Sequence, residues 1–160
     1  WALQVAVFAS FTGNASLIDF CRKRYRTNFI PDQMAADGSF PLELKRTKPY
    51  GYSIFNLDIM STLAHVLNMW DWQMPDGRSI KKGVSYLIPF VKDKSLWTYP
   101  ADVMYFDQWP IAQSFLYFSA IHGDDNSLAL WKKLDHFPTN QEVIRNFPIR
   151  NPVLWNQKSF

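Results

Sequence analysis

ELKRTKPYGYSIFNLD, residues 43–58, joins a cluster of basic residues and two tyrosines to the start of an amphipathic helix. The cations are Lys45, Arg46 and Lys48, and the tyrosines are Tyr50 and Tyr52. Ser53 is a residue type that caps helices, and the apolar residues after it return every three or four positions. The stretch therefore predicts a helix capped by Ser53. The basic turn before it is either a solvated surface or the border of a site for an acidic ligand.

Helical periodicity recurs along most of the chain. Helices are predicted over residues 1–11, 15–25, 53–68, 80–91, 111–121, 127–134 and 140–146. The segments 26–52 and 92–109 contain helix breakers or many aromatics and are predicted to be long, functional loops. No pair of strands with a hairpin signature is present. The pattern predicts an all-α fold of paired helices that forms part of an (α/α) toroid; a helical solenoid is the alternative, but no fixed sequence period supports it.

Composition limits the classes of function that are open to the chain. The 160 residues suit one domain, 1–160, and 48% hydrophobic with 19% charged residues indicates a folded, globular chain. The net charge is +3, and cations cluster at residues 22–26 and 45–48, which favours an anionic ligand. The 22–26 cluster is more simply explained as a solvated face. No nucleic-acid motif accompanies the clusters, and no apolar run is long enough for membrane insertion. Nucleic acid and membrane are therefore not predicted as partners.

Cysteine and histidine positions bear on redox and metal chemistry. The single cysteine, Cys21, excludes an internal disulfide and lies at an apolar position of a helical pattern, which predicts a buried thiol. His65 lies on an apolar helix face, whereas His122 and His136 lie at helix ends or in loops. None has a second ligand at metal spacing, so we predict neither a metal site nor a cofactor.

The basic turn contains residue types that suit acid–base chemistry on a carboxylate substrate. The planar guanidinium of Arg46 matches the two oxygens of a carboxylate, and a tyrosine hydroxyl can transfer a proton where a cation stabilises the phenolate. The alternative is structural: a tyrosine packed beneath the helix and an Arg46–Glu43 ion pair. Asn56 either faces a ligand or caps a neighbouring loop.

A second candidate segment is DVMYFDQWP, residues 102–110. Tyr105 and Trp109 suit a sugar-stacking platform on which Asp107 and Gln108 bind hydroxyl groups. Equally, Trp109 and the proline after it anchor the next helix. Asp102 and Asp107 also allow a glycosidase acid pair, whose separation the sequence leaves open.

Four segments together resemble the alginate lyase superfamily of polysaccharide lyases, with the greatest likeness to polysaccharide lyase family thirty-eight. They are WALQVAVFASFTGN (1–14), DGSFPLELKRTKPYGYSIFNLD (37–58), YFDQWP (105–110) and EVIRNFPIRNPVLW (142–155). The resemblance implies an α/α toroid that cleaves an acidic polysaccharide, alginate or polyglucuronate, by β-elimination. Export to the periplasm or the medium is also implied.

The resemblance assigns roles to individual residues. The family's catalytic tyrosine precedes a helix of the form Tyr-x-x-aromatic-x-Leu, which falls on Tyr52, with Tyr50 as the fallback. Arg46 matches the arginine before this tyrosine, and Glu43 matches an acidic position that orients it. Expected substrate-binding residues are Tyr50, Glu43, Asn56, Tyr105, Asp107, Gln108 and Trp109.

One family element has no counterpart in the sequence. An Asn-Asn-His stretch precedes a Trp-x-x-Gln helix in the family, and Trp1 and Gln4 match that helix. We therefore expect this chain to be the C-terminal half of a larger toroid, with one side of the active site supplied from upstream. The alternatives are a non-catalytic domain that binds uronate glycans and, more weakly, a glycoside hydrolase that uses Asp102 or Asp107.

Overall fold

The structure is a computed structural model that describes residues 1–155. Its α-helices are α1 (Ala2–Phe11), α2 (Ala15–Arg24), α3 (Ile30–Gln33), α4 (Pro41–Leu44), α5 (Pro49–Val66), α6 (Ile80–Lys92), α7 (Ser114–Ile121), α8 (Asp125–Lys133) and α9 (Gln141–Arg145). Within residues 1–155, β-pairing is limited to one isolated antiparallel bridge between Gln73 and Ser79. The prediction of an all-α fold is confirmed.

Helix α5 is the central element of the core. It packs against α1, α4, α6 and α7, and Ile54, Leu57 and Ala64 are completely buried along it. A helix that is apolar on most sides gains stability only when other helices surround it. The neighbouring helices therefore hold α5 in place and fix the direction of its first turn.

The predicted start of α5 was wrong. The helix begins at Pro49, and Ser53, the predicted cap, lies inside it with a buried hydroxyl that has no hydrogen-bond partner. Proline is favourable in the first helical turn because its fixed φ suits the helix and it has no N–H to satisfy. Tyr50 and Tyr52 are consequently both within the first turn rather than in the loop before it.

The predicted loop 26–52 is also shorter than expected. Helix α2 continues through a π-helical turn, Tyr25–Phe29, directly into α3. Pro31 lies within the predicted loop, but it occupies the first turn of α3, where proline is tolerated. The buried thiol of Cys21 is confirmed, since its residue is 1% exposed.

The aromatic segment between α6 and α7 folds back onto the start of α5. It contains two 3₁₀ turns, Lys94–Leu96 and Phe106–Gln108. The Val103 amide donates to the Thr47 carbonyl at 3.0 Å, and the Lys94 ammonium donates to the carbonyls of Phe106 and Trp109, both at 2.8 Å. These bonds bring the two candidate segments of the sequence together. Among the described residues, no helix combines the length and apolar character that crossing a membrane requires.

Candidate functional site

A buried carboxylate joins the two candidate segments. Asp102 accepts hydrogen bonds from the backbone amides of Tyr50 at 2.8 Å and Gly51 at 2.9 Å. These amides belong to the first turn of α5, where backbone N–H groups have no partner within the helix. Burial raises the pKa of Asp102, and the two amides partly offset that effect. Asp102 thus caps α5 from a distant part of the chain, and this use of both oxygens argues against the glycosidase role.

Gly51 is required by this close approach. A Cβ atom at position 51 would lie 2.8 Å from Asp102 Oδ2 and 3.0 Å from Trp109 Nε1. Such distances are shorter than van der Waals contact, so any larger residue would displace the capping carboxylate.

A small cleft lies beside the first turn of α5. It is lined by Lys48, Gly51, Tyr52, Met104, Tyr105, Trp109, Glu142 and Asn146. Three stretches of chain contribute: the α5 start, the 102–109 loop, and α9 with the residue after it. Among the predicted site residues, the cleft brings together Tyr52, Tyr105 and Trp109. Lys48, Glu142 and Asn146 were not predicted.

Tyr52 is half-buried and is covered by Arg46. The guanidinium carbon of Arg46 lies 3.8 Å from the Tyr52 ring centroid, and Arg46 Nη1 donates to Glu43 Oε2 at 3.0 Å. A cation over the ring face is attracted to the π electrons of the ring, so this contact holds Tyr52 and Arg46 together. The three residues are arranged in the order Glu43, Arg46, Tyr52. The Arg46–Glu43 contact fits both expectations from the sequence, the orienting role of Glu43 and the purely structural ion pair.

The cleft also contains a largely buried ion pair. Lys48 Nζ lies 2.9 Å from Glu142 Oε1, and the two side chains are only 14% and 20% exposed. Lys48 Nζ also lies 5.3 Å from the centroid of the Tyr105 ring. Arg145 Nη2 contacts both Glu142 oxygens, Oε1 at 2.9 Å and Oε2 at 2.8 Å. The Lys48 ammonium holds the pKa of Glu142 below its ordinary value.

Tyr50, the fallback residue, lies in the core. Its hydroxyl donates to the Phe90 carbonyl at 2.9 Å, and its ring packs edge-on against Trp97 and Phe106. Burial raises its pKa further above the ordinary value for tyrosine. We infer a structural role for Tyr50, which corrects its inclusion among substrate-binding residues: its 0% exposure leaves no surface for a sugar.

The remaining predicted residues differ in their access to the cleft. Tyr105 borders it with a left-handed backbone, φ 62°, a conformation that costs a non-glycine residue about 1–2 kcal/mol. Trp109 is 5% exposed, which fits the anchoring alternative better than sugar stacking. Asp107 and Gln108 are exposed and bind each other at 2.8 Å, and Asn56 lies one helical turn beyond Tyr52. Within residues 1–155, these last three residues are not part of the cleft lining.

The structure places two histidines at the far end of α5. His65 Nδ1 and His122 Nε2 are 3.3 Å apart, and His65 Nε2 lies 3.1 Å from the Trp155 carbonyl oxygen. Burial lowers the pKa of both rings. Sequence spacing did not suggest this pair, since its members are 57 residues apart. In the described part of the chain, no three side chains of the metal-ligand type are grouped for a metal ion.

The cleft therefore combines a proton-transfer group with positive charge. Tyr52 can donate or accept a proton at its hydroxyl, Arg46 covers its ring, and Lys48 adds a second cation. Such an arrangement suits a substrate that carries a carboxylate and loses or gains a proton nearby.

Comparison with known proteins gives two findings. Residues 1–97 match the family model described as alginate lyase. The chain is also similar to a crystal structure described as an alginate lyase from Bacteroides ovatus, with a TM-score of 0.65 and 27% identity. That match covers 91% of this chain and 40% of the crystallised chain, so this chain spans less than half the length of the similar protein. The search of curated proteins finds no match.

Proposed function

The chain belongs to the alginate lyase family, and on this premise we propose that it forms part of a polysaccharide lyase that cleaves a uronic-acid polymer by β-elimination. Alginate and polyglucuronate are the proposed substrates, and polysaccharide lyase family thirty-eight is the proposed branch. The observation that carries the proposal is the Arg46 guanidinium carbon 3.8 Å from the Tyr52 ring centroid, beside a cleft that Tyr52 and Lys48 both line.

The proposed reaction requires two proton transfers and no water. A base removes the proton from C5 of the uronate, the C4–C5 double bond forms as the C4–O4 bond breaks, and an acid protonates the departing O4. The C5 proton is weakly acidic, so negative charge that develops toward the carboxylate must be neutralised. Tyr52 is the proposed acid/base, and Arg46 is the proposed partner that stabilises its phenolate and contacts substrate.

Charge in the described residues supports an anionic substrate. Arg46 lies over the Tyr52 ring, Lys48 lies four residues before Tyr52 and lines the same cleft, and Arg145 is close through its contact with Glu142. Cations that are already in position before the substrate binds stabilise a developing oxyanion, because the protein does not have to rearrange during the reaction. We also propose that the protein acts in the periplasm or outside the cell, where a polymeric substrate is accessible.

The test is the appearance of unsaturated uronate. The intact protein is incubated with alginate or polyglucuronate, and the ultraviolet absorbance of the C4–C5 double bond is followed. Tyr52→Phe removes only the hydroxyl and is expected to abolish the increase in absorbance. Tyr117→Phe, on α7, is the matched control and should retain activity. Undiminished activity of Tyr52→Phe would overturn the proposed role.

A second candidate function is non-catalytic binding of uronate glycans. The observation in its favour is that the three histidines in the described chain lie outside the cleft: His65 and His122 contact each other, and His136 packs on Trp131. Within residues 1–155, Tyr52 therefore has no neighbouring imidazole as a second proton-transfer group. Binding of polymer by the intact protein without unsaturated product would favour this candidate.

A further inference from the structure

Glu142 occupies the position in the cleft where a substrate carboxylate would meet Lys48. Its oxygens contact Lys48 at 2.9 Å and Arg145 at 2.8 Å, inside a cleft that Tyr52 also lines. Glutamate and uronate carry the same charged group with the same geometry. A site that binds one through an ammonium and a guanidinium is chemically suited to the other.

The surroundings of Lys48 make this more than a surface ion pair. Its side chain is 14% exposed, its ammonium lies 5.3 Å from the Tyr105 ring, and its backbone carbonyl accepts the Tyr52 amide at 2.9 Å. Residues four apart at a helix start lie on one side of the helix. Lys48 and Tyr52 therefore lie on the same side of the α5 start, and both line the cleft.

The positive charge of Lys48 is balanced inside the cleft. Glu142 neutralises it, and Arg145, which is 73% exposed, contacts both Glu142 oxygens. Asp102 lies behind the cleft and is committed to the amides of Tyr50 and Gly51. If Glu142 releases Lys48, the cleft gains a free ammonium beside Tyr52 with few competing anions.

We propose that Lys48, with Arg145, forms a carboxylate-binding subsite for a uronate residue next to Tyr52, and that Glu142 occupies this subsite until substrate displaces it. Glu142 is thus an internal competitor, and Lys48 is a specificity-determining residue for acidic sugars. The inference rests on the proposed function for the identity of the ligand, a uronate polymer.

The experiment measures binding rather than turnover. Saturated oligouronates prepared from alginate and from polyglucuronate are titrated into the intact Tyr52→Phe protein, and calorimetry gives the dissociation constant. Carboxyl-reduced oligosaccharides of the same length serve as the neutral probe. Near-ultraviolet circular dichroism checks that each variant is folded.

The proposal expects opposite effects from the two members of one ion pair. Adding Lys48→Met should weaken oligouronate binding about tenfold or more, whereas Glu142→Gln should strengthen it severalfold because the competing charge is removed. Lys48→Arg, which keeps the charge, should retain most of the affinity. Lys132→Met, an exposed lysine on α8, should change nothing, and the neutral probe should not distinguish the variants.

Other outcomes overturn the inference. An ion pair with a purely structural role would give weaker binding for both Lys48→Met and Glu142→Gln, and a pair outside the subsite would give no change for either. Absence of oligouronate binding by every variant also overturns it. The proposed function fails separately, when the wild-type protein yields no unsaturated product from either polymer.

Discussion

The central carbon of the Arg46 guanidinium lies 3.8 Å from the Tyr52 ring centroid, while Arg46 Nη1 donates to Glu43 Oε2 at 3.0 Å. The Arg46 side chain is nevertheless 53% exposed. An exposed ion pair contributes little to stability, roughly 0–1 kcal/mol. We therefore expect the Arg46–Tyr52 contact to contribute to catalysis rather than to the stability of the fold.

Substitution of Arg46 should separate these two effects. Arg46→Ala is expected to lower kcat/KM about 10²-fold, as loss of one preorganised electrostatic group does in other enzymes. Arg46→Lys keeps the charge but loses the planar contact with the ring, so we expect a smaller loss, roughly tenfold. Urea unfolding should show less than about 1 kcal/mol change for either variant.

Lys45→Ala is the control for general charge, because Lys45 is an exposed neighbour of Arg46. It should retain nearly full activity. Equal losses in the Lys45 and Arg46 variants would mean that the cleft responds only to overall positive charge.

Asp102 and Asp107 are five residues apart, but their mutation to alanine should affect the free energy of unfolding very differently. Asp102→Ala leaves the amides of Tyr50 and Gly51 without their partner, which should lower the free energy of unfolding by about 1–3 kcal/mol. Asp107→Ala removes an exposed carboxylate and should change it by less than about 0.5 kcal/mol. Urea denaturation followed by tryptophan fluorescence measures both. A similar cost for the two variants would contradict the capping role of Asp102.

The sequence was sufficient to predict what depends on local periodicity. The all-α class and most helix positions follow from apolar residues at helical spacing, and the buried Cys21 follows from the same pattern. The start of α5 did not follow, because its cap is a carboxylate some fifty positions away: Asp102 Oδ1 bonds the Tyr50 amide. Local rules favoured Ser53 for that role, and only the tertiary fold brings Asp102 to the helix.

The site was predictable to a similar extent. Family resemblance indicated Tyr52, Arg46 and Glu43, and the structure brings them into contact. Lys48 and Glu142 are 94 residues apart, and neither lies in a motif that marks an ion pair. The distinction between Tyr50 and Tyr52 also depends on packing, since residues two apart on a helix point to different sides.

Gly51 and Gly83 allow a matched test of close packing inside helices. A Cβ at Gly51 would lie 2.8 Å from Asp102 Oδ2, an atom fixed by two amides, whereas a Cβ at Gly83 would lie 2.9 Å from the flexible terminal methyl of Met34. Gly51→Ala should therefore lower the free energy of unfolding by about 1–3 kcal/mol. Gly83→Ala should cost less, because its two nearest neighbours, the Met34 methyl and the Leu57 Cδ1 methyl at 3.1 Å, are the ends of flexible side chains.

Thermal and urea unfolding of the two variants decide this prediction. If Gly83→Ala were the more damaging of the two, the rigidity attributed to the Asp102 cap would be wrong.

Asp58 should make stability depend on pH. It is completely buried on α5, where Oδ1 accepts hydrogen bonds from the Ser114 hydroxyl at 2.7 Å and the Phe115 amide at 2.8 Å. Its Oδ2 has no partner. Burial raises the pKa of Asp58 to about 7, because an unpaired buried oxygen disfavours the charged form, although the two hydrogen bonds oppose this effect.

A carboxyl whose pKa is higher in the folded state binds more protons when folded, so stability falls as pH increases between the two pKa values. Asp58 should therefore favour the folded state in mild acid and lose this contribution as pH rises through about 7. Asp58→Asn cannot ionise and should lose less stability than the wild type between mild acid and mild alkali, a difference on the order of a few kcal/mol. Urea unfolding at both pH values measures it, with Asp125→Asn, an exposed residue of α8, as the control. The lowered pKa values of His65 and His122 make stability rise with pH, but this contribution is present in both proteins and cancels in the comparison. An unchanged pH dependence in Asp58→Asn would show that Asp58 is ionised in the folded protein.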